Sequence, residues 1–218
     1  MKGRIGVILM TLGVFLIVGA LLLAVYNSIE NNSAGKSADA ILADIKEQIG
    51  TSPHNYNTDS FPIDESDSEK TDVPGVENIS GPNPYDPAMS VYTKDEIDYI
   101  GYIYFPTLDL QLPVISEWSD SLMKLAPCRY AGSAKTDDLV LLGHNYTRHF
   151  GRLDRLVKGD KLFLYDMDGI CYEYRVEGFE MLDSTAIEEM TAGEYDLTLF
   201  TCDYSGRNRL TVRCMKQR

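Results

Sequence analysis

The chain has 218 residues with 33 acidic against 20 basic side chains, a net charge of −13, and such an acidic balance argues against nucleic acid as a partner. Its four cysteines and three histidines form no CxxC and no HxxxH, which leaves no spacing for a structural zinc site.

Met1-Lys2-Gly3-Arg4 carries two positive side chains, and Ile5 to Val25 follows without a charge. Twenty-one helical residues span roughly 30 Å, the thickness of a bilayer's hydrocarbon core. A secretory signal has a shorter apolar region, and no small-x-small cleavage site follows here. The reading is therefore an uncleaved single-pass anchor over residues 5–26. With Lys2 and Arg4 before it and Glu30 the first charge after it, residues 1–4 are a cytoplasmic tail and everything from about Asn27 is extracytoplasmic.

Residues 27–90 read as a helix followed by a linker. Ala38, Ile41, Leu42, Ile45 and Ile49 share one helical face, with Ser37 as N-cap and Gly50 and Pro53 as stops. This helix either packs on the later domain or serves as a stalk. From Thr51 to about Ser90, six prolines accompany many Ser, Asn and Asp, and between Asp59 and Glu96 ten acidic residues face only Lys70 and Lys94. Such a composition buries too little apolar surface to order itself, so it reads as a tether between membrane and domain, with His54 an inert part of it.

Residues 91–218 form the predicted domain. Tyr99 to Phe105 is strand-like and closed by Pro106, and Leu108 to Ile115 is a second strand. Ser119 to Leu125 makes one or two helical turns. Leu139-Val140-Leu141-Leu142 is a buried strand that delivers Gly143-His144-Asn145. His149 to Leu156 reads as a short helix. Lys161–Tyr165 and Ile170–Val176 form a hairpin about Asp166-Met167-Asp168-Gly169, and a short helical piece lies near Ile187. Leu197 to Cys202 and Arg209 to Arg213 are the last strands, joined by the turn Asp203-Tyr204-Ser205-Gly206. Some eight short strands with brief helices predict an all-β, closed or nearly closed barrel. About 120 residues is enough for one core.

Four cysteines in an outward-facing domain are compatible with two disulfides. Cys171 and Cys214, at apolar-phase strand positions, read as small core residues. Cys202 ends a strand at a turn, where its side chain is accessible and an arginine seven positions later can reach the space above the sulfur. A fixed positive charge favours the thiolate, the reactive form. A nearby imidazole raises that fraction further and later protonates a leaving amine. Of the three histidines, His144 leaves a buried strand at a loop, whereas His149 is read as a packing or surface residue.

The set LVLLGHN, TLFTC and Arg209-Leu210-Thr211-Val212 resembles the sortase family, transpeptidases of Gram-positive bacterial surfaces. The resemblance covers about Ile97 to Met215 and is fairly specific in combination. It implies an eight-stranded sortase-type β-barrel behind a transmembrane helix and a tether. It also implies Cys202 as nucleophile, His144 as acid/base, Arg209 as stabiliser of the oxyanion or substrate backbone, and Thr201 and Asn145 as substrate-binding residues. Arg207 competes with Arg209, which is preferred because it immediately precedes the alternating strand. Cys202 attacks a backbone carbonyl in an LPxTG-like sorting signal, and the thioester passes to an amine of a peptidoglycan precursor or of a pilin lysine. The partners implied are surface or pilin proteins bearing a C-terminal sorting signal.

The class is unassigned. His144-Asn145 resembles class B, but residues 177–196 are too few for that class's helical insertion. Tyr85-Asp86-Pro87 resembles the Asp-Pro-aromatic lid of pilin-polymerising class C enzymes and of class C/D-like chains, with Ala88 in place of the aromatic residue and no second hydrophobic span after Arg218. Two alternatives stand beside the transpeptidase: a catalytically silent membrane-anchored scaffold, and a cysteine peptidase that gives the thioester to water. No phosphate loop or cofactor motif is present, so no cofactor and no metal are expected. Some sortases bind calcium in loops, but Glu188 and Glu189 read as a solvated face.

Overall fold

The computed structural model describes residues 2–51, 88–203 and 206–217, and within the first stretch the side chains of residues 10, 12–23, 25–26 and 38–50. A single helix, α1 (Lys2–Thr51), is followed by strands β1 (Tyr92–Lys94), β2 (Ile97–Phe105), β3 (Leu110–Ile115), β4 (Cys128–Ala131), β5 (Leu139–Leu142), β6 (Lys161–Asp166) and β7 (Cys171–Asp183). A short helix α2 (Ile187–Thr191) then leads to β8 (Leu197–Cys202) and β9 (Asn208–Lys216). The strand order is β1-β2-β3-β4-β5-β8-β9-β7-β6, and β6 pairs back onto β2. Strands β2 to β9 therefore close an eight-stranded barrel, with β1 as a flap on β2. The fold is all-β with short helices, as expected of a sortase-type chain.

Alternation along the strands fills the barrel. Ile103, Phe105, Leu112, Leu139, Leu141, Leu162, Leu164, Tyr174, Leu197, Leu199, Val212 and Cys214 belong to one buried core cluster. On the opposite face of β5 and β8, Val140, Leu142 and Phe200 form a second, smaller cluster with Met190 of α2.

Several boundaries differ from the sequence reading. The strand expected from Leu108 begins at Leu110, because Pro106–Leu108 forms a 3₁₀ turn that ends on left-handed Asp109 (φ 45°). Strand β4 was not anticipated: its four residues carry too little alternation to register. β7 runs past Val176 to Asp183, because a register shift between Val176 and Gly178 lets it keep pairing with β9. The short helix expected at His149 to Leu156 is a 3₁₀ helix over Phe150–Arg155.

The helix does not start at Ser37 but is continuous from Lys2. Its C-terminal part is packed on the barrel rather than free as a stalk. Ile45 is fully buried with Tyr99, Ile115, Ala126 and Cys128, and Ile41 and Ile49 pack against the same cluster. Asp44 pairs with Lys94, and Asp39 pairs with Arg148 at 2.5 Å. Among the described residues no helix is long and apolar enough to cross a membrane; Phe15, Leu16 and Leu22 of α1 are exposed. Residues 52–87 lie outside the described residues, and with them most of the expected tether, His54 and Tyr85-Asp86-Pro87. The C-terminal part of α1 is thus fixed against the barrel. Met89, just before β1, is buried in the main core.

All four cysteines are free. Cys214 is a core residue as expected, and burial pushes its thiol far up. Cys171 corrects the reading: it is exposed, because it opens β7 on the hairpin next to Tyr165, its cross-strand partner.

Candidate active site

Three neighbouring strands bring the site together. β5 and β8 are parallel, with Leu142 opposite Phe200, and the Gly143 N–H donates to the Phe200 carbonyl at 3.1 Å. His144 and Cys202 each lie two residues beyond this shared rung, so both leave the sheet at the same end. β8 and β9 are antiparallel, and Cys202 is the direct partner of Arg209. Directly opposed residues put their side chains on the same face of a sheet. His144, Cys202 and Arg209 thus come from three adjacent strand ends, and all three are half-buried.

The turn after Cys202 is pinned by Asp203. Its N–H donates to the Asn208 carbonyl at 3.0 Å, and its carboxylate accepts from Asn208 Nδ2 at 2.9 Å. Arg209 Nη1 donates to the carbonyls of Gly206 (3.1 Å) and Asn208 (3.3 Å), which holds the guanidinium against the turn. Arg207 precedes β9, and its carbonyl accepts from the Ser184 N–H at 3.0 Å.

The loop carrying His144 folds tightly because two positions lack a side chain. A Cβ on Gly143 would come 2.7 Å from the Phe150 ring, and one on Gly151 would meet the Asn145 carbonyl oxygen at 2.3 Å. The Phe150 N–H donates to the His144 carbonyl at 3.0 Å. The His144 imidazole stacks on Tyr146, with ring centres 4.8 Å apart and 25° between planes, and Tyr146 in turn meets His149 at 5.5 Å. His149 is a fully buried packing histidine, and neither ring nitrogen has a hydrogen-bond partner among the described residues. Burial, then the neighbouring His144, push it down to about 4, so it stays neutral; the Leu125 backbone opposes this shift from nearby, outside hydrogen-bond geometry.

On the outer face of the sheet an apolar row leads away from Cys202. Phe200, two residues upstream on β8, takes the edge of Tyr130 at 5.3 Å, and Tyr130 meets Trp118 at 5.6 Å. Arg213 fixes the facing wall. Nearly buried, it donates to Glu180 (2.8 Å), Thr198 (3.0 Å) and the α2 carbonyls of Glu189 (2.6 Å) and Met190 (3.3 Å). On the other side of Cys202 a cavity of about 190 Å³ is lined by Asn145 and Thr201. The Thr201 hydroxyl is buried without a hydrogen-bond partner among the described residues.

The structure thus places all five residues singled out in the sequence around one barrel end. Sequence reasoning missed Arg213, the Trp118–Tyr130 row and Tyr146. Arg213 was visible only as one member of an alternating strand, and the aromatic contacts join segments distant in sequence. Among the described residues no group of three or more His, Cys, Asp or Glu could hold a metal ion.

A sortase-domain family model matches residues 103–217. No curated protein matches the chain. Among solved structures, sortase C1 from Streptococcus agalactiae superposes with a TM-score of 0.51 at 24% identity, over 58% of this chain and 71% of that one. Sortase C from Streptococcus pneumoniae gives 0.50 at 23% identity (55% and 69%), and sortase A from Corynebacterium diphtheriae 0.51 at 20% (55% and 61%). At these identities the structural likeness speaks for the fold, shared across classes. With the family model covering more than half of its length, the chain belongs to the sortase family of cysteine transpeptidases.

Proposed function

We propose that this protein is a membrane-anchored sortase that cleaves an LPxTG-like sorting signal through a thioester on Cys202 and transfers the acyl group to an amine. The observation that carries this reading is the strand register: Cys202 sits opposite Arg209 on one side and level with the exit to His144 on the other.

The chemistry follows from that placement. The Cys202 thiolate attacks the scissile carbonyl, and the oxyanion forms where the Arg209 guanidinium can donate hydrogen bonds. Collapse of the intermediate breaks the C–N bond, and His144 protonates the leaving amine. An incoming amine then attacks the thioester, gives its proton to His144 and releases Cys202. The reaction needs no cofactor or metal. The acyl donors are surface or pilin proteins, and the acceptor is a peptidoglycan cross-bridge or a lysine.

The single-pass anchor over residues 5–26, with the N-terminus cytoplasmic, is supported by the uncharged run Ile5–Val25, by Lys2 and Arg4 before it and by the exposed apolar side chains along α1.

Incubation of the full chain with LPxTG-like and NPxTx-like peptides, read by intact mass beside Cys202→Ala, tests the reading. An acyl adduct on the parent protein alone is expected. Failure of every peptide to acylate it would favour the silent scaffold, and a thioester that passes only to water would make it a peptidase.

A further inference from the structure

The loop that carries His144 is pinned along its backbone and gripped at its rings. The Phe150 N–H donates to the His144 carbonyl at 3.0 Å, and the N–H groups of His149 (2.9 Å) and Gly151 (3.0 Å) both donate to the Tyr146 carbonyl. A Cβ on Gly151 would come 2.7 Å from that carbonyl oxygen, so the double acceptance depends on glycine there. Arg152 Nε donates to the Thr147 carbonyl at 3.1 Å, and Arg148 pairs with Asp39 of α1. These links fix where His144 leaves the chain but not how its ring turns, because the torsion that rotates an imidazole about its Cβ–Cγ bond has a broad minimum. Tyr146 supplies the missing restraint. Half-buried and two residues on, it lays its ring on the imidazole with centres 4.8 Å apart and 25° between planes. Behind it stands fully buried His149, at 5.5 Å between ring centres and 48° between planes. Neither His149 nitrogen has a hydrogen-bond partner among the described residues, so His149 backs Tyr146 as a ring rather than as a hydrogen-bonding group.

We propose that Tyr146 is the positioning residue for His144: its ring, backed by His149, holds the imidazole in the orientation from which it protonates the leaving amine. This rests on the acyl-transfer reading above. A stack grips an imidazole by its face. Both nitrogens carry their proton or lone pair in the ring plane, so the edge stays open for proton transfer, whereas a hydrogen-bonding orienter would occupy one of them. The restraint acts when the tetrahedral intermediate collapses. The C–N bond breaks with its electron pair going to nitrogen, the imidazolium gives its proton to that nitrogen, and the carbonyl re-forms on Cys202 as a thioester. A leaving group that is already stable as an anion needs no such proton, so the stack matters where the leaving atom is an amine nitrogen.

The test uses the full chain in detergent micelles and two acyl donors. One is an LPxTG-like peptide; the other is the same signal ending at its threonine as a benzyl thioester, whose leaving group departs as a thiolate. Intact mass reads acylation of Cys202 by each. Tyr146→Ala should lower the maximal rate with the peptide about tenfold at an unchanged half-saturating concentration, part of the roughly 10²–10⁴-fold that a general acid supplies. Its rate with the thioester should change by less than about twofold, since no amine is protonated there. Tyr146→Phe, which keeps the ring and loses the hydroxyl, should recover the peptide rate. An equal loss with both donors would show that Tyr146 supports the fold or the thiolate rather than the acid, and overturns the assignment. So does a Tyr146→Phe as slow as Tyr146→Ala, or a Tyr146→Ala as fast as the parent; each leaves the acyl-transfer reading intact. Failure of the peptide to acylate the parent chain removes that reading and the positioning role with it.

Discussion

Cys202 and Arg209 are direct cross-strand partners at the end of the β8–β9 hairpin, so a seven-residue separation in sequence becomes the shortest distance two strands allow. The pairing puts both side chains on one face of the hairpin without a dedicated loop. Arg209→Ala should slow thioester formation on the order of 10²-fold, as expected for loss of one oxyanion donor. Arg209→Lys should recover only part, since a point charge lacks the guanidinium's fork. Arg207→Ala, in the turn outside β9, should change the rate by no more than about twofold. Intact-mass time courses with a responsive peptide check all three, and a larger defect in Arg207→Ala would reverse the assignment.

Neutral, buried His149 makes stability acid-sensitive. Its folded value, about 4, lies below the usual 6.5, so the unfolded chain binds the extra proton between these values. The stability it contributes is complete above pH 6.5 and is lost progressively as pH falls towards 4, by roughly 3 kcal/mol in all. Urea unfolding at pH 7.5 and pH 4.5 should show this decline, and His149→Phe should flatten it. A parallel decline in both proteins would show that other groups carry the acid response.

Arg213→Ala removes the side chain that joins Glu180, Thr198 and two α2 carbonyls. Loss of a buried, multiply bonded arginine costs about 3 kcal/mol. Because the same contacts hold Met190 against Phe200, the peptide KM should rise while Cys202 keeps its intrinsic reactivity. Denaturation curves combined with a KM and kcat split separate the two effects.

Ile45→Ala should destabilise the full chain by about 3 kcal/mol, the usual cost of emptying a buried isoleucine site. Asp39→Asn, which breaks only an exposed pair with Arg148, should cost under about 1 kcal/mol. If α1 were a loose stalk, both substitutions would be silent in chemical denaturation.

Thiol accessibility gives an independent check of the core. In the native protein a small maleimide should label Cys171 and Cys202, and in denaturant all four cysteines. Burial pushes Cys128 up to about 12, which adds a chemical barrier to its steric protection. Native labelling at Cys128 or Cys214 would contradict the packing of β4 and β9.

Much of this protein was legible in the chain because the signals are local. The apolar run Leu139–Leu142 ending in Gly143-His144, the TLFTC strand and the alternating Arg209–Arg213 strand each carry their own periodicity, and side-chain alternation is a property of consecutive residues. They sufficed to single out His144, Cys202 and Arg209 as candidates and to expect a barrel, whereas Asn145 and Thr201 came from the family resemblance. What needed tertiary structure were relationships between distant segments. No periodicity says that Leu142 and Phe200 share a rung, that Trp118 reaches Phe200 through Tyr130, or that Ile45 of the N-terminal helix completes a cluster with Ile115 and Cys128. Strand pairing and burial depend on which surfaces meet, so the parallel β5–β8 register, the docking of α1 and the cavity beside Cys202 were decided by the closed barrel alone.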